Sequence, residues 1–363
     1  MVDIIPILLN FCPQLVDTVN GRGQTPLHLS CQWGNIEVMQ LLLRTSTKLI
    51  DSEDHDGRTS LHYGAENGNV TVVREILRLS QASVDKEDGD GQTPLHLGSK
   101  QGNVDVVKGL LKVSSLSVDK RDSHGEIPLH IGSQSGHVKI VLELLQISPG
   151  TVNKLNGQGK SSLFKALDGR HWPVVKCLLG SSSPISSESI DTIFQQGQTG
   201  LHLASTHGDA YIVQKMLKLS SLSVDAEDNQ GRTPLHCASK HGHTGVVSEL
   251  LRVSHFALDR ADHQGITPLH YGSGSGNVDC LRVLLRASTQ SIESEDSSGR
   301  RPLHFGCRSG KVDVVRELLS VSPSSNDMFD SNGQSPFMHA VKRNRIDVAR
   351  FLIQITSLFT IYR

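Results

Sequence analysis

Apolar residues recur along the chain in pairs. Val106-Val107 is followed by Leu110-Leu111, Ile140-Val141 by Leu144-Leu145, and Cys280-Leu281 by Leu284-Leu285. Spacing of i, i+1, i+4, i+5 puts four apolar side chains on one stripe of an α-helix. The stripe occurs ten times, at intervals of 34 residues except for one interval of 38. A polar phrase precedes each stripe, as in TPLHLGSKQGNVDVV at 93–107, and starts at Thr25, Thr59, Thr93, Ile127, Ser161, Thr199, Thr233, Thr267, Arg301 and Ser335. The period therefore defines ten repeats.

The columns of the phrase have physical meanings. A Gly stands two residues before every phrase and reaches positive φ without strain, so it marks a tight turn. An Asp three residues before that Gly, as at 54, 88, 122, 228, 262, 296 and 330, supplies local turn chemistry. Thr is a good helix N-cap, Pro suits the first helical position, and the His that follows sits at N3, the capping-box slot. A second Gly stops this short first helix before the amphipathic second helix begins. Each repeat thus predicts a turn finger, a helix, a loop and a helix.

One such repeat cannot bury its stripe alone, whereas stacked repeats can. The expected organisation is a single elongated all-α array over 1–363. It comprises an N-terminal half-repeat at 1–16, repeats 1–5 at 17–179, a Ser/Pro-rich insertion loop with an irregular finger at 180–194, and repeats 6–10 at 195–363.

The repeats resemble ankyrin repeats, and GQTPLHLGSKQGNVDVVKGLLKVSSLSVDKRD at 91–122 carries the resemblance well. It covers essentially the whole chain and implies a solenoid of stacked antiparallel helix pairs with projecting turn or β-hairpin fingers. Three departures stand out. The period is 34, Ser-rich text such as VSSLS replaces the family's Gly-Ala after the second helix, and Gly98, Gly132 and Gly272 stand inside first helices. Gly there costs ~0.5–1 kcal/mol relative to Ala, which predicts somewhat less stable repeats.

Composition adds little chemistry. A formal net charge of −1 and 4 % aromatics argue against nucleic acid as partner. No apolar run reaches the ~18–20 residues of a membrane span. Six cysteines fit no zinc or redox spacing and suggest a reducing compartment, cytoplasmic or nuclear. Eight of the eighteen histidines belong to the capping column, and Lys240-His241-Gly242-His243 is ordinary repeat usage rather than a zinc site. GSGSG at 272–276 falls on a first helix and its stop, not on a phosphate loop. The finger carboxylates, among them Asp54 and Asp88, are expected as exposed turn residues. No nucleophile motif appears, so no enzyme activity, cofactor or metal is expected. The second helices carry a basic column on their outer face, from Arg44 and Arg74 to Arg316 and Arg350.

The resemblance implies that partners meet the concave side, at finger tips and at the exposed ends of first helices. The corresponding residues are Gln32, Trp33, His55, Asp56, Arg58, Glu66, Asn67, Asp90, Gln92, Lys100, Gln101, Lys240, His241 and Arg308, with His263, Ile266, Ser309, Lys342 and Arg343 in the same columns. The expected function is a non-enzymatic protein-interaction scaffold, as a monomeric array or within a larger assembly. The alternative is a recognition or regulatory segment of a larger protein, such as a ubiquitin ligase subunit, a kinase or a channel. One stretch breaks the pattern: SSLFKALDGRHWPVV at 161–175 has Phe164 in place of the His and Arg170 in place of the stop Gly. With the four-residue insertion after it and Phe194 in place of the finger Asp, it reads as a seam between five repeats and five, open to drift, a hinge or a docking loop.

Overall fold

The first residue of each phrase, Thr in six of the ten, begins a helix because it is held in extended conformation at the helix cap. Thr25, with φ −78° and ψ 164°, accepts from the backbone N–H of His28, and the His28 ring accepts from the N–H of Thr25. The computed structural model describes residues 4–361, with side chains described for 5–355. It contains 21 α-helices. Ile4–Phe11 comes first, and two helices per repeat follow, such as Pro94–Gln101 with Val104–Val113 and Pro268–Ser275 with Val278–Ala287. The fold is an all-α solenoid of stacked antiparallel helix pairs. Among the described residues no strand forms, and the only bridges are isolated ones, Leu155 with Ser161 and Ile193 with Thr199. The fingers are hydrogen-bonded turns, the simpler of the two forms expected.

The residues divide into two compact units, Met1–Ser189 and Ile190–Arg363. In each, first helices pack on first helices and second helices on second helices of the adjoining repeat. The second-helix stripe supplies the core: Val106, Val107 and Leu110 are buried, as are Cys280, Leu281, Leu284 and Leu285. Burying each such side chain contributes roughly 1.5–3 kcal/mol. The first-helix glycines belong to this packing. A Cβ on Gly272 would lie 2.6 Å from Leu284 Cδ1, so the expected loss of helix propensity is exchanged for close approach of the two helices.

Polar ladders join successive repeats. In the fingers, the backbone N–H of His263 donates to the Gln230 carbonyl and that of Ser297 to the Gln264 carbonyl, both at 2.9 Å. Under the second helices, Ser80 and Ser83 donate to the Asp51 carboxylate of the preceding repeat, and Ser220 and Ser223 to Asp191. The Ser-rich text thus bonds one repeat to the next. The third ladder is the histidine column. His62 Nδ1 accepts from the Thr59 N–H at 3.1 Å, so the proton resides on Nε2, which donates to the Gln92 carbonyl of the next finger at 3.1 Å. His270 repeats this from Thr267 to Arg300, and all eight imidazoles of the column are fully buried.

The fingers correct one expectation. Asp54 and Asp88 are 6 % and 7 % exposed, not solvated. Asp54 Oδ1 accepts the N–H groups of Asp56 and Arg58 at 3.0 and 2.9 Å, and its Oδ2 accepts the Tyr63 hydroxyl at 2.6 Å. Turn geometry draws the short carboxylate inward over its own backbone. In repeat 6 Phe194 offers no such acceptor, and Gln196 there takes φ 63°. The insertion loop is pinned within the N-terminal unit. Asn153 donates to the Pro184 carbonyl and accepts from the Ser186 N–H, both at 2.8 Å, while Ile185 is buried.

Repeat 5 keeps its helices, Ser162–Asp168 and Trp172–Leu179, and Ser161 still caps the first by accepting from the Phe164 N–H. Arg170 occupies the stop position at φ 55°, where eight other repeats place a positive-φ Gly. The left-handed region costs a residue with a Cβ ~1–2 kcal/mol. Arg170→Gly is therefore expected to raise stability by about 1 kcal/mol, less the flexibility that Gly gives the unfolded chain. An unchanged or lower urea midpoint would contradict this.

Burial holds the histidine column below its ordinary range. His62, His130, His236 and His270 are pushed down to about 4, and His28, His96, His202 and His304 are lowered too. Between pH 6.5 and about 4 the unfolded chain binds protons that the folded chain refuses. Stability is then complete above the unfolded value and is lost as pH falls through this window, by up to about 3 kcal/mol for each strongly shifted imidazole. Urea midpoints from pH 7.5 to 4.5 are expected to fall continuously. A flat profile would show that the column does not stay neutral.

Candidate functional site

The histidine column, the finger carboxylates and the Ser–Asp contacts are engaged within and between repeats, and the finger tips and first-helix ends stand outside these ladders. Trp33 caps the first helix of repeat 1 and is 80 % exposed. His55, Asp56, Asn67, Asp90, Lys100, Gln101, Lys240 and His241 are exposed, and Gln32, Glu66, Gln92 and Arg308 are half-buried. Several also brace the stack. Arg58 is half-buried between Glu66 at 2.9 Å and Asp88 at 3.3 Å, Asn67 donates to the Cys31 carbonyl, and Gln92 donates to Asp122. Ile266 does not belong to this surface. It is 5 % exposed because its N–H is drawn to Asp262 and its side chain turns inward.

The N-terminal unit presents mixed charge on this face, with Asp56, Glu66 and Asp90 beside Arg58 and Lys100. The C-terminal unit differs. Lys240, Tyr271, Phe305, Arg308, Arg343 and Arg345 line a groove of about 460 Å³. Lys240 Nζ lies 5.7 Å from the Tyr271 ring centre, and the Arg300 and Arg308 guanidiniums lie 4.9 and 5.9 Å from that of Phe305. Arg345 donates to the Arg308 carbonyl at 3.0 Å. Lys240, Arg308 and Arg343 follow from the repeat columns. Tyr271, Phe305 and Arg345 were missed, although the 34-residue register places both rings one turn before the first-helix ends.

Candidate chemistry elsewhere resolves into structure. His243 Nε2 bridges to the Thr206 carbonyl, and its ring stacks on His241 at 5.8 Å. Ser273 and Ser275 donate to the Leu269 and Gly272 carbonyls of their own helix. Among the described residues no three His, Cys, Asp or Glu side chains converge as a metal site, and no helix is long and apolar enough to cross a membrane. The basic outer column is partly neutralised, with Lys108 paired to Glu143, Arg282 to Glu317 and Arg316 to Asp313.

A family model described as ankyrin repeats (3 copies) matches residues 1–88, 75–154, 201–296 and 288–359. The intervening residues include the whole irregular repeat 5 and the insertion. No curated protein matches the chain.

The cysteines offer a direct check of the packing of the core. Cys31, Cys280 and Cys307 are buried, and burial pushes each thiol up to about 12, while Cys12 and Cys177 are only half-buried. Titration with a thiol-reactive disulfide reagent is expected to modify at most two thiols promptly in the native protein, and all six after denaturation. Prompt reaction at Cys31 or Cys307 would overturn the packing described here.

Proposed function

The chain belongs to the ankyrin-repeat family, and on that premise we propose that it is a non-enzymatic scaffold that binds a protein partner on its finger and first-helix face. Ankyrin repeats are generally protein–protein interaction modules. One observation carries the reading for this chain. The buried imidazoles of the column bridge successive repeats and the buried finger carboxylates are hydrogen-bonded within their turns, while Trp33, His55, Gln101, Lys240 and His241 stand exposed. A frame braced by these ladders holds such side chains in fixed positions, which lowers the ordering cost of association. An interface of ordinary size, ~800 Å² per partner, would engage several adjacent repeats.

The test is capture of partners by the tagged full chain, with two sets of surface variants. Trp33→Ala, Lys100→Glu and Gln101→Ala together, or Lys240→Glu with Arg308→Glu, are expected to lose specifically captured proteins by at least about tenfold while the thermal melt is retained. Arg44→Glu with Arg286→Glu, on the outer helix face, is expected to leave capture intact. Equal capture by wild type and both face variants would place the interface elsewhere.

A further inference from the structure

The finger and first-helix face of the C-terminal unit is cationic without a counter-charge. Its buried finger acids are already engaged: Asp228 holds Arg232 and Asp296 holds Arg300, each at 2.6 Å, Asp262 accepts the Tyr271 hydroxyl, and Asp330 accepts from His339. Glu227 and Glu295 are paired with Arg260 and Arg301. The finger tips at 195–196, 229–230, 263–264, 297–298 and 331–332 hold only Gln, Asn, His and Ser. Among the described residues no ion pair engages Lys240, Arg308, Lys342, Arg343 or Arg345. Arg308 registers the excess, since burial and then the neighbouring Arg343 and Arg300 lower its proton affinity.

We propose that this groove, from Lys240 to Arg345, binds an acidic segment of the protein partner, an extended run of Asp and Glu side chains. The proposal rests on the scaffold reading and names the chemistry of one occupant. Packed helices lie ~8–10 Å apart and an extended peptide advances ~3.3 Å per residue, so roughly six residues span the two repeat steps from Lys240 to Arg308 and return a side chain to the same face of the segment. Carboxylates then meet Lys240, Arg308 and Arg343 in turn, while the Gln, Asn and Ser finger tips offer partners to the peptide backbone. A nucleic-acid strand fits less well. The Tyr271 and Phe305 rings lie beneath cations rather than open to bases, and the chain as a whole is nearly neutral.

The experiment uses the full chain and a fluorescent dodecapeptide of Asp and Glu, with its Asn and Gln counterpart as control. The acidic peptide is expected to bind at least about tenfold more tightly than the amide peptide at ~0.1 M salt. Lys240→Glu with Arg308→Glu, and separately the milder Arg308→Gln with Arg343→Gln, are expected to weaken it about tenfold or more, with the circular-dichroism melt unchanged. Lys218→Glu with Arg286→Glu, an equal charge change on the outer helix face, is expected to leave binding as it was. Equal binding of the two peptides, equal loss on reversing the outer face, or tighter binding of a twelve-nucleotide DNA strand or of anionic vesicles would each overturn the proposal. If the peptide fails while partner capture still depends on the face, the acidic segment alone is refuted and the scaffold reading stands.

Discussion

The register of eight of the ten repeats depends on a buried neutral imidazole with two fixed jobs. Its Nδ1 accepts from the helix cap of one repeat, and its Nε2 donates to a carbonyl in the finger of the next, as in the path from Thr233 through His236 to Arg260. No other side chain combines a rigid donor and a rigid acceptor on opposite sides of a small ring. Lys has no acceptor, and Asn is too short to span cap and finger. The ring therefore sets both where the helix starts and how far away the next finger lies. Once that distance is fixed, the finger amides, the Ser–Asp contacts and the second-helix stripe all come into register.

The same constraint explains what sequence could and could not reveal. Helix starts, both glycine columns and the second-helix core are encoded within a few residues and are legible from spacing alone. Contacts between repeats are not, because each links residues roughly 30 positions apart whose meeting depends on the stacking. The burial of Asp54 and Asp88 was misjudged for this reason, since a turn carboxylate looks solvated until its own backbone and the next repeat close over it. The glycine at 272 reads as a defect in a helix but is a point of close contact with Leu284. At the candidate face, the columns point to Lys240, Arg308 and Arg343, but only the stacking brings Arg345 beside them in the groove lined by Phe305.

Repeat 5 shows how far one repeat departs from the rule without losing its helices. Phe164 lacks both polar functions of the imidazole, yet it is buried and Lys160 Nζ lies 4.7 Å from its ring centre. Ser161 supplies the cap bond from its own side. Val174, Val175 and Leu178 remain fully buried, so the apolar term survives when the polar one is changed. The following loop is anchored at Asn153 and Ile185 rather than left slack. Loop-closure entropy grows slowly with length, so four added residues cost little beside those anchors.

The division of labour between frame and surface follows from the economy of buried charge. A buried carboxylate must be paired or hydrogen-bonded, and in the C-terminal unit the finger acids take Arg232, Arg300, Tyr271 and His339 as partners. Those acids are then unavailable to balance cations at the first-helix ends. The positive field of Lys240, Arg308, Arg343 and Arg345 thus reflects finger tips that carry no acid to balance it, not an excess of basic residues in the chain. In the N-terminal unit Asp56 and Asp90 stand exposed and Glu66 half-buried on the corresponding face, so the field there is mixed. The two faces therefore differ in charge, one mixed and one positive, because the fingers of one leave acids at their tips and those of the other do not.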